Sequence, residues 1–146
     1  MTGLALFLLG VLACFGNFAS PPVGRFSRAA VLAENYRVYR DAVIGYVERH
    51  PGTAGTVGED ALPLPPGWRA LSTLQNRIQA GQVLVWGDLP APSAEDAERD
   101  AGPSLAVGVA EIRDGVEVGY SECTGDWFPI RSRVPVGALV SDVVVH

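Results

Sequence analysis

Cys123 and His50 are the side-chain types a covalent hydrolase needs as nucleophile and base, and Asp126 stands near enough in sequence to orient an imidazole. Cys14 and His146 complete the Cys and His complement. No local pattern ties Cys123 to His50, and two Cys with two His at these spacings do not make a zinc site. Gly52, Gly55 and Gly58 superficially imitate a phosphate loop. Glu59 and Asp60 follow at once, no Lys is present, and no strand precedes the loop, so a phosphate would be repelled there. Trp68, Trp86 and Trp127 could line a groove for a sugar or peptide, but each falls in or beside a predicted strand, where core packing is the simpler role. The sequence therefore assigns no catalytic, cofactor or metal residue, and the chain reads as a non-enzyme.

What must be positioned, then, is a surface. The 146 residues carry 11 Arg, no Lys and 16 acids, for a net charge of −5. That balance excludes a sequence-independent nucleic-acid binder, which needs a basic stripe. At 48% hydrophobic residues the chain is not disordered as a whole. The length suits one domain and an anchor.

The apolar residues concentrate at the start. Met1 to Ala19 holds no charged side chain and is just long enough to span a hydrocarbon core of about 30 Å as a helix. The remainder is too small to wrap a helix apolar on every side. Residues 1–20 are therefore expected to form an uncleaved membrane anchor, and 21–146 a single soluble domain. Val11-Leu12-Ala13-Cys14 faintly imitates a lipoprotein attachment site, but Leu12 fits that pattern badly, and Cys14 reads better as a small apolar residue. On residues alone, Arg25 and Arg28 would hold the domain in the cytoplasm, although two arginines are a thin signal.

Beyond Pro21-Pro22 a second helix is predicted from about Ser27, a suitable N-cap, to His50, where Pro51-Gly52 stops it. Leu32, Tyr36, Tyr39, Val43, Tyr46 and His50 form one stripe along it. Tyr36, Tyr39 and Tyr46 are the candidate interaction face, with packing of the same aromatic stripe on a sheet as the competing role. Gln75–Gln79 and Gln82–Trp86 flank Ala80-Gly81 as a possible hairpin. Pro90 to Pro103 lacks bulky apolar side chains and reads as a surface excursion with at most one helical turn. Ala106–Ile112 and Val116–Tyr120 flank Arg113-Asp114-Gly115, a strong hairpin signal. Pairing across that turn sets Ile112 against Glu117, Glu111 against Val118 and Val109 against Tyr120. One face is then bulky, and the other small and polar, as suits a sheet covered on one side. The closing VPVGALVSDVVVH reads as a strand pair or one broken strand. The expected fold is α+β: a transmembrane helix, then an amphipathic helix packed on a mostly antiparallel sheet.

AENYRVYRDAVIGYVERHPGTAG, PPGWRALSTLQNRIQAGQVLVWG and VPVGALVSDVVV, in this order behind an apolar amino terminus, resemble the small PilM family of type IVb, conjugative thin-pilus systems. The actin-like ATPase of the same name is a different family, and its nucleotide motifs are missing here. The resemblance implies a bitopic inner-membrane protein with a periplasmic domain, part of the pilin transport apparatus and pilus basal body, working by contact. Expected partners are other pilus-assembly proteins or pilin and the inner membrane, with a homo-oligomer left open; no nucleic acid and no cofactor are called for. A pilin-like subunit is the neighbouring reading, but no basic leader ending in Gly precedes the apolar run and no Glu stands early in it. A lipoprotein anchored through Cys14 is the third.

Overall fold

The computed structural model describes residues 27–101, 106–122 and 124–146. The expected anchor over residues 1–20 lies outside them. Among the described residues no helix is long and apolar enough to cross a membrane.

Helix α1 spans Arg28–Arg49. Ser27 caps it, its hydroxyl accepting from the Ala30 N–H at 3.1 Å, which satisfies one of the first turn's orphan donors. His50 closes it, its backbone N–H donating to the Tyr46 and Val47 carbonyls. Strands β1 (Leu74–Gln79) and β2 (Gln82–Gly87) follow, then helix α2 (Ala91–Ala101) and strands β3 (Ala106–Arg113), β4 (Val116–Tyr120), β5 (Trp127–Pro129) and β6 (Leu139–Val144). One six-stranded sheet results, in the order β1-β2-β6-β3-β4-β5, with every neighbouring pair antiparallel.

Both expected hairpins form. Ala80 and Gly81, with φ of 49° and 79°, and Asp114 and Gly115, with 52° and 79°, turn through the left-handed region, whose twist matches that of the flanking strands. The β3–β4 register sets Val109 against Tyr120, Glu111 against Val118 and Ile112 against Glu117, as the sequence predicts. The carboxyl-terminal stretch resolves into one strand, β6, inserted at the centre. Because β2 and β3 are each antiparallel to it, they run parallel to one another, and α2 is the crossover between them.

Two expectations need correction. Residues 91–101 make three turns of helix, where at most one was expected. Ser93, Ala94, Ala97 and Glu98 are buried in it, and the helix packs along α1. Its buried face is made of small side chains, so close helix–helix approach does what bulk does elsewhere. Glu98 accepts the Glu122 N–H at 3.0 Å and the Ser121 hydroxyl at 3.4 Å, tying α2 to the segment after β4.

The sheet is also covered on both faces. On the helix side Tyr36, Val43, Ile78, Val83, Val85, Val107 and Leu139 share a core. On the other side the connection from β5 to β6 returns across the sheet, laying Ile130, Val134 and Ala138 on Leu84, Ala110 and Val140. Gly119 makes room for the Phe128 ring, because a Cβ there would lie 2.1 Å from Phe128 Cζ.

Both sheet edges are guarded. The 55–57 loop runs beside β1, where Gly55 and Ile78 exchange backbone hydrogen bonds at 2.9 and 2.7 Å. The Asn76 side chain bonds both backbone groups of Val57. On β5, the bonds of Ser121 with Asp126 and of Ile130 with Glu117 set an alternation that turns the backbone groups of Trp127 and Pro129 outward. Pro129 has no N–H to offer, and the strand is three residues long, so the edge is a poor template for strand addition.

Candidate interaction surface

The tyrosine stripe points into the sheet. Tyr36 is fully buried and Tyr39 is 2% exposed. The Tyr36 hydroxyl donates to the Val85 carbonyl at 3.1 Å and stands 3.0 Å from the Ser141 hydroxyl, which can donate in return. Burial pushes its pKa far up, so the phenol stays neutral. Tyr39 accepts from Asn76 Nδ2 at 2.7 Å and stacks on Trp68 at a centroid distance of 6.0 Å. Tyr46 alone keeps partial exposure, with its ring stacked on His50 at 4.2 Å. Helix α1 thus gives its aromatic face to the core, and a partner could reach only its last tyrosine.

Among the described residues, His50 and Asp126 are not brought together. His50 Nδ1 lies 2.9 Å from the Tyr46 carbonyl at the close of α1, while Asp126 receives no contact from it and takes a Thr124 hydroxyl at its backbone N–H. Cys123 lies outside the described residues. Among those described, no three His, Cys, Asp or Glu side chains are grouped to hold a metal ion.

One acidic group is unusual. Asp142 Oδ2 accepts from Gln82 Nε2 at 2.6 Å, but its Oδ1 is buried with no hydrogen-bond partner. Desolvation raises its pKa, against the Gln82 bond and the Arg131 charge. A carboxyl raised in the folded state binds more protons than the unfolded chain, so its stability contribution is present in acid and lost as pH rises through the folded value. Asp142→Asn keeps an acceptor for Gln82 and removes the charge. The variant is expected to melt higher than the parent at pH 7, and the gap should close as pH falls toward the ordinary carboxylate range. Melting curves across pH 4–8 measure it.

The three tryptophans divide. Trp68 packs on Tyr39 and Trp86 on the second core. Trp127 is 41% exposed. Tyr120 lies against it at 4.3 Å, and the Arg113 guanidinium sits 4.5 Å over its ring. Cross-strand pairing of Tyr120 with both Val109 and Trp127 puts these side chains on the helix side of the sheet. There α1 and α2 cover β1, β2 and β3 but make no substantial contact with β4 or β5. Tyr, Trp and Arg preordered on a rigid strand are the types that dominate protein interfaces. Sequence reasoning placed Trp127 in the core. The signal it lacked was Pro129, which marks an edge strand.

The fold has a known counterpart. The crystal structure of a protein designated PilM, from Escherichia coli B7A, aligns with a TM-score of 0.56 and 16% identity, covering 84% of this chain and 100% of that one. At that identity the likeness speaks for the fold. Among curated proteins none matches the chain. The PilM family model, however, matches residues 6–141. The chain belongs to the PilM family. Membership suggests a pilus-related function, and with it a place among pilus-assembly proteins. In this PilM family chain the Arg113–Trp127–Tyr120 cluster is an ordered aromatic group with Trp127 exposed on the β4–β5 side of the sheet.

Proposed function

We propose that this PilM family chain is a bitopic inner-membrane component of type IVb pilus biogenesis, part of the pilin transport apparatus and pilus basal body. Residues 1–20 anchor it, residues 21–146 lie in the periplasm, and it works by protein–protein contact rather than catalysis. The supporting observation is the extent of the family match, which begins at residue 6 inside the apolar run and ends at residue 141, within β6. Anchor and domain then belong to one family architecture. The exposed Arg113–Trp127–Tyr120 cluster supplies a surface suited to contact.

Topology is tested by fusing alkaline phosphatase after His146, since that enzyme matures only outside the cytoplasm. Activity that remains with the inner membrane is expected. An inactive fusion places the domain in the cytoplasm and ends this proposal.

The contact surface makes a separate prediction. Trp127→Ala combined with Arg113→Glu is expected to abolish pilus assembly while the melting temperature moves by only a few degrees. A central aromatic–arginine anchor is worth about 2 kcal/mol or more, roughly a 30-fold loss of affinity. The same exposed ring contributes little to the fold. Normal piliation in the double variant would remove the cluster from the interface.

A further inference from the structure

The exposed large apolar side chains are unevenly distributed. Among the described residues seven large apolar side chains are exposed; two are Trp127 on β5 and Val144 at the far end of β6, and the other five, Val31, Leu71, Ile112, Val116 and Val136, are 42%, 55%, 61%, 57% and 64% exposed. All five lie toward one end of the sheet, the end formed by Gly87 of β2 and Leu139 of β6, which pair with each other. Leu71 is placed there by its N–H, which donates to Asn35 Oδ1 at 3.0 Å, three residues before Leu74 pairs with Gly87. Val136 is placed there by Gly137, whose N–H donates to the Ala110 carbonyl at 2.8 Å. Ile112 and Val116 flank the β3–β4 turn. Val109 pairs with Leu139, so Ile112 stands about 10 Å beyond it along β3.

The chain itself arrives at this end. Tyr36 is fixed against Val85, two residues short of Gly87, and the chain beyond His50 reaches Ile78 at the opposite end through Gly55. Helix α1 therefore starts at the Gly87 end. Ser27, nine residues before Tyr36, lies about 13 Å further along the helix axis. Ser27 therefore stands about 7 Å beyond Gly87 and the β3–β4 turn about 16 Å, so both project past the sheet at this end and the hairpin reaches further.

The uncharged run Met1 to Ala19 is joined to helix α1 by eight residues, Ser20 to Ser27, that can span at most about 28 Å. Around the β3–β4 turn Glu111, Arg113, Asp114 and Glu117 stand among Ile112 and Val116, and together with Arg28, Arg69 and Asp88 the charges at this end nearly cancel. Attraction to a bilayer there would rest on the apolar side chains. We infer that the Gly87 end of the domain, through Leu71, Ile112, Val116 and Val136, rests on the surface of the bilayer that holds the amino-terminal segment. The domain is then fixed upright, with α1 rising from the membrane and the Trp127 cluster facing sideways to a neighbour in the same plane. This inference rests on the anchoring proposed above.

The test uses the full chain carrying Cys14→Ser and Cys123→Ser. Single cysteines are introduced as Ile112→Cys, Val116→Cys and Val136→Cys, with Val144→Cys as the control at the opposite end, where Val144 is 59% exposed. Each is labelled with an environment-sensitive fluorophore and reconstituted into phosphatidylcholine–phosphatidylglycerol vesicles with and without a spin-labelled quencher lipid. A blue shift and quenching by that lipid are expected at 112, 116 and 136, with neither at 144. Vesicle-bound protein in which all four probes remain unquenched overturns the inference and leaves the anchoring intact. A blue shift without lipid quenching assigns the surface to a protein neighbour and also overturns it. Failure of the chain to float with the vesicles overturns the anchoring, and this inference with it.

Discussion

Tyr39→Arg is expected to abolish cooperative unfolding of the domain, leaving no native baseline in a thermal melt of the full chain. Tyr39 is 2% exposed, and its surroundings are Trp68, Asn76 and the core beneath α1. The carboxylate whose charge reaches this position, Glu59, is exposed and makes no hydrogen bond to Tyr39, so a guanidinium put in place of the ring has no preformed partner beside Trp68 and Asn76. A buried charge without a well-placed partner costs several kcal/mol, comparable to the 5–15 kcal/mol that hold an ordinary domain together. Tyr39→Phe is the control. It removes one acceptor, but Asn76 Nδ2 keeps the Val57 carbonyl at 2.8 Å, so the loss should be about 1 kcal/mol. On a domain of this size that is a fall of roughly 3–6 °C. The pair separates two roles for the stripe. A Tyr39→Arg chain that melted like its parent yet failed in pilus assembly would return Tyr39 to the surface.

Much of this architecture is legible in the sequence where local chemistry is strong. Ser27 and Pro51-Gly52 bracket α1 because capping and helix breaking are properties of single residues. Asp114-Gly115 fixes both the turn and the register behind it, because only a few residue types accept two successive positive φ values. What stays hidden depends on distant partners. Helix α2 shows only a stripe of small side chains, Ala94, Ala97 and Ala101, with no bulky residue to mark it, and that stripe becomes core because α1 lies against it. The central position of β6 cannot be read from VVVH, because strand order is set by what each face covers. The second core needs the return of 130–138 across Leu84, Ala110 and Val140, a long-range closure that alternation alone does not specify. The exposure of Trp127 is hidden for a related reason. A tryptophan beside a strand is usually core, and Trp127 is left outside because neither helix extends over β4 and β5.

Tyr36→Ala should be among the most damaging neutral substitutions in the domain, because one side chain joins three elements that are far apart in sequence. Its ring fills the space between α1 and the sheet, and its hydroxyl reaches Val85 on β2 and Ser141 on β6. Strand β6 is the bridge between β2 and β3, so this contact ties the helix to the middle of the sheet. Deleting a buried aromatic ring costs about 3–5 kcal/mol. Tyr36→Phe keeps the ring and isolates the polar part, about 1–3 kcal/mol, since the Ser141 hydroxyl loses its buried partner. If the two hydroxyls act as a pair, Tyr36→Phe with Ser141→Ala will be less damaging than the sum of the single losses, by about 0.5 kcal/mol or more. The alkaline limb gives an independent readout. The folded phenol titrates above its ordinary value of 10.0, so the folded state holds its proton where the unfolded chain has lost it. That contribution is fully present below pH 10 and falls away above it. Tyr36→Phe should therefore flatten the loss of stability above pH 10, leaving the smaller share that Tyr39, raised in the same direction by burial, still supplies. An unchanged alkaline limb would mean that Tyr36 reaches solvent, and that α1 does not seat on β2 and β6 as described.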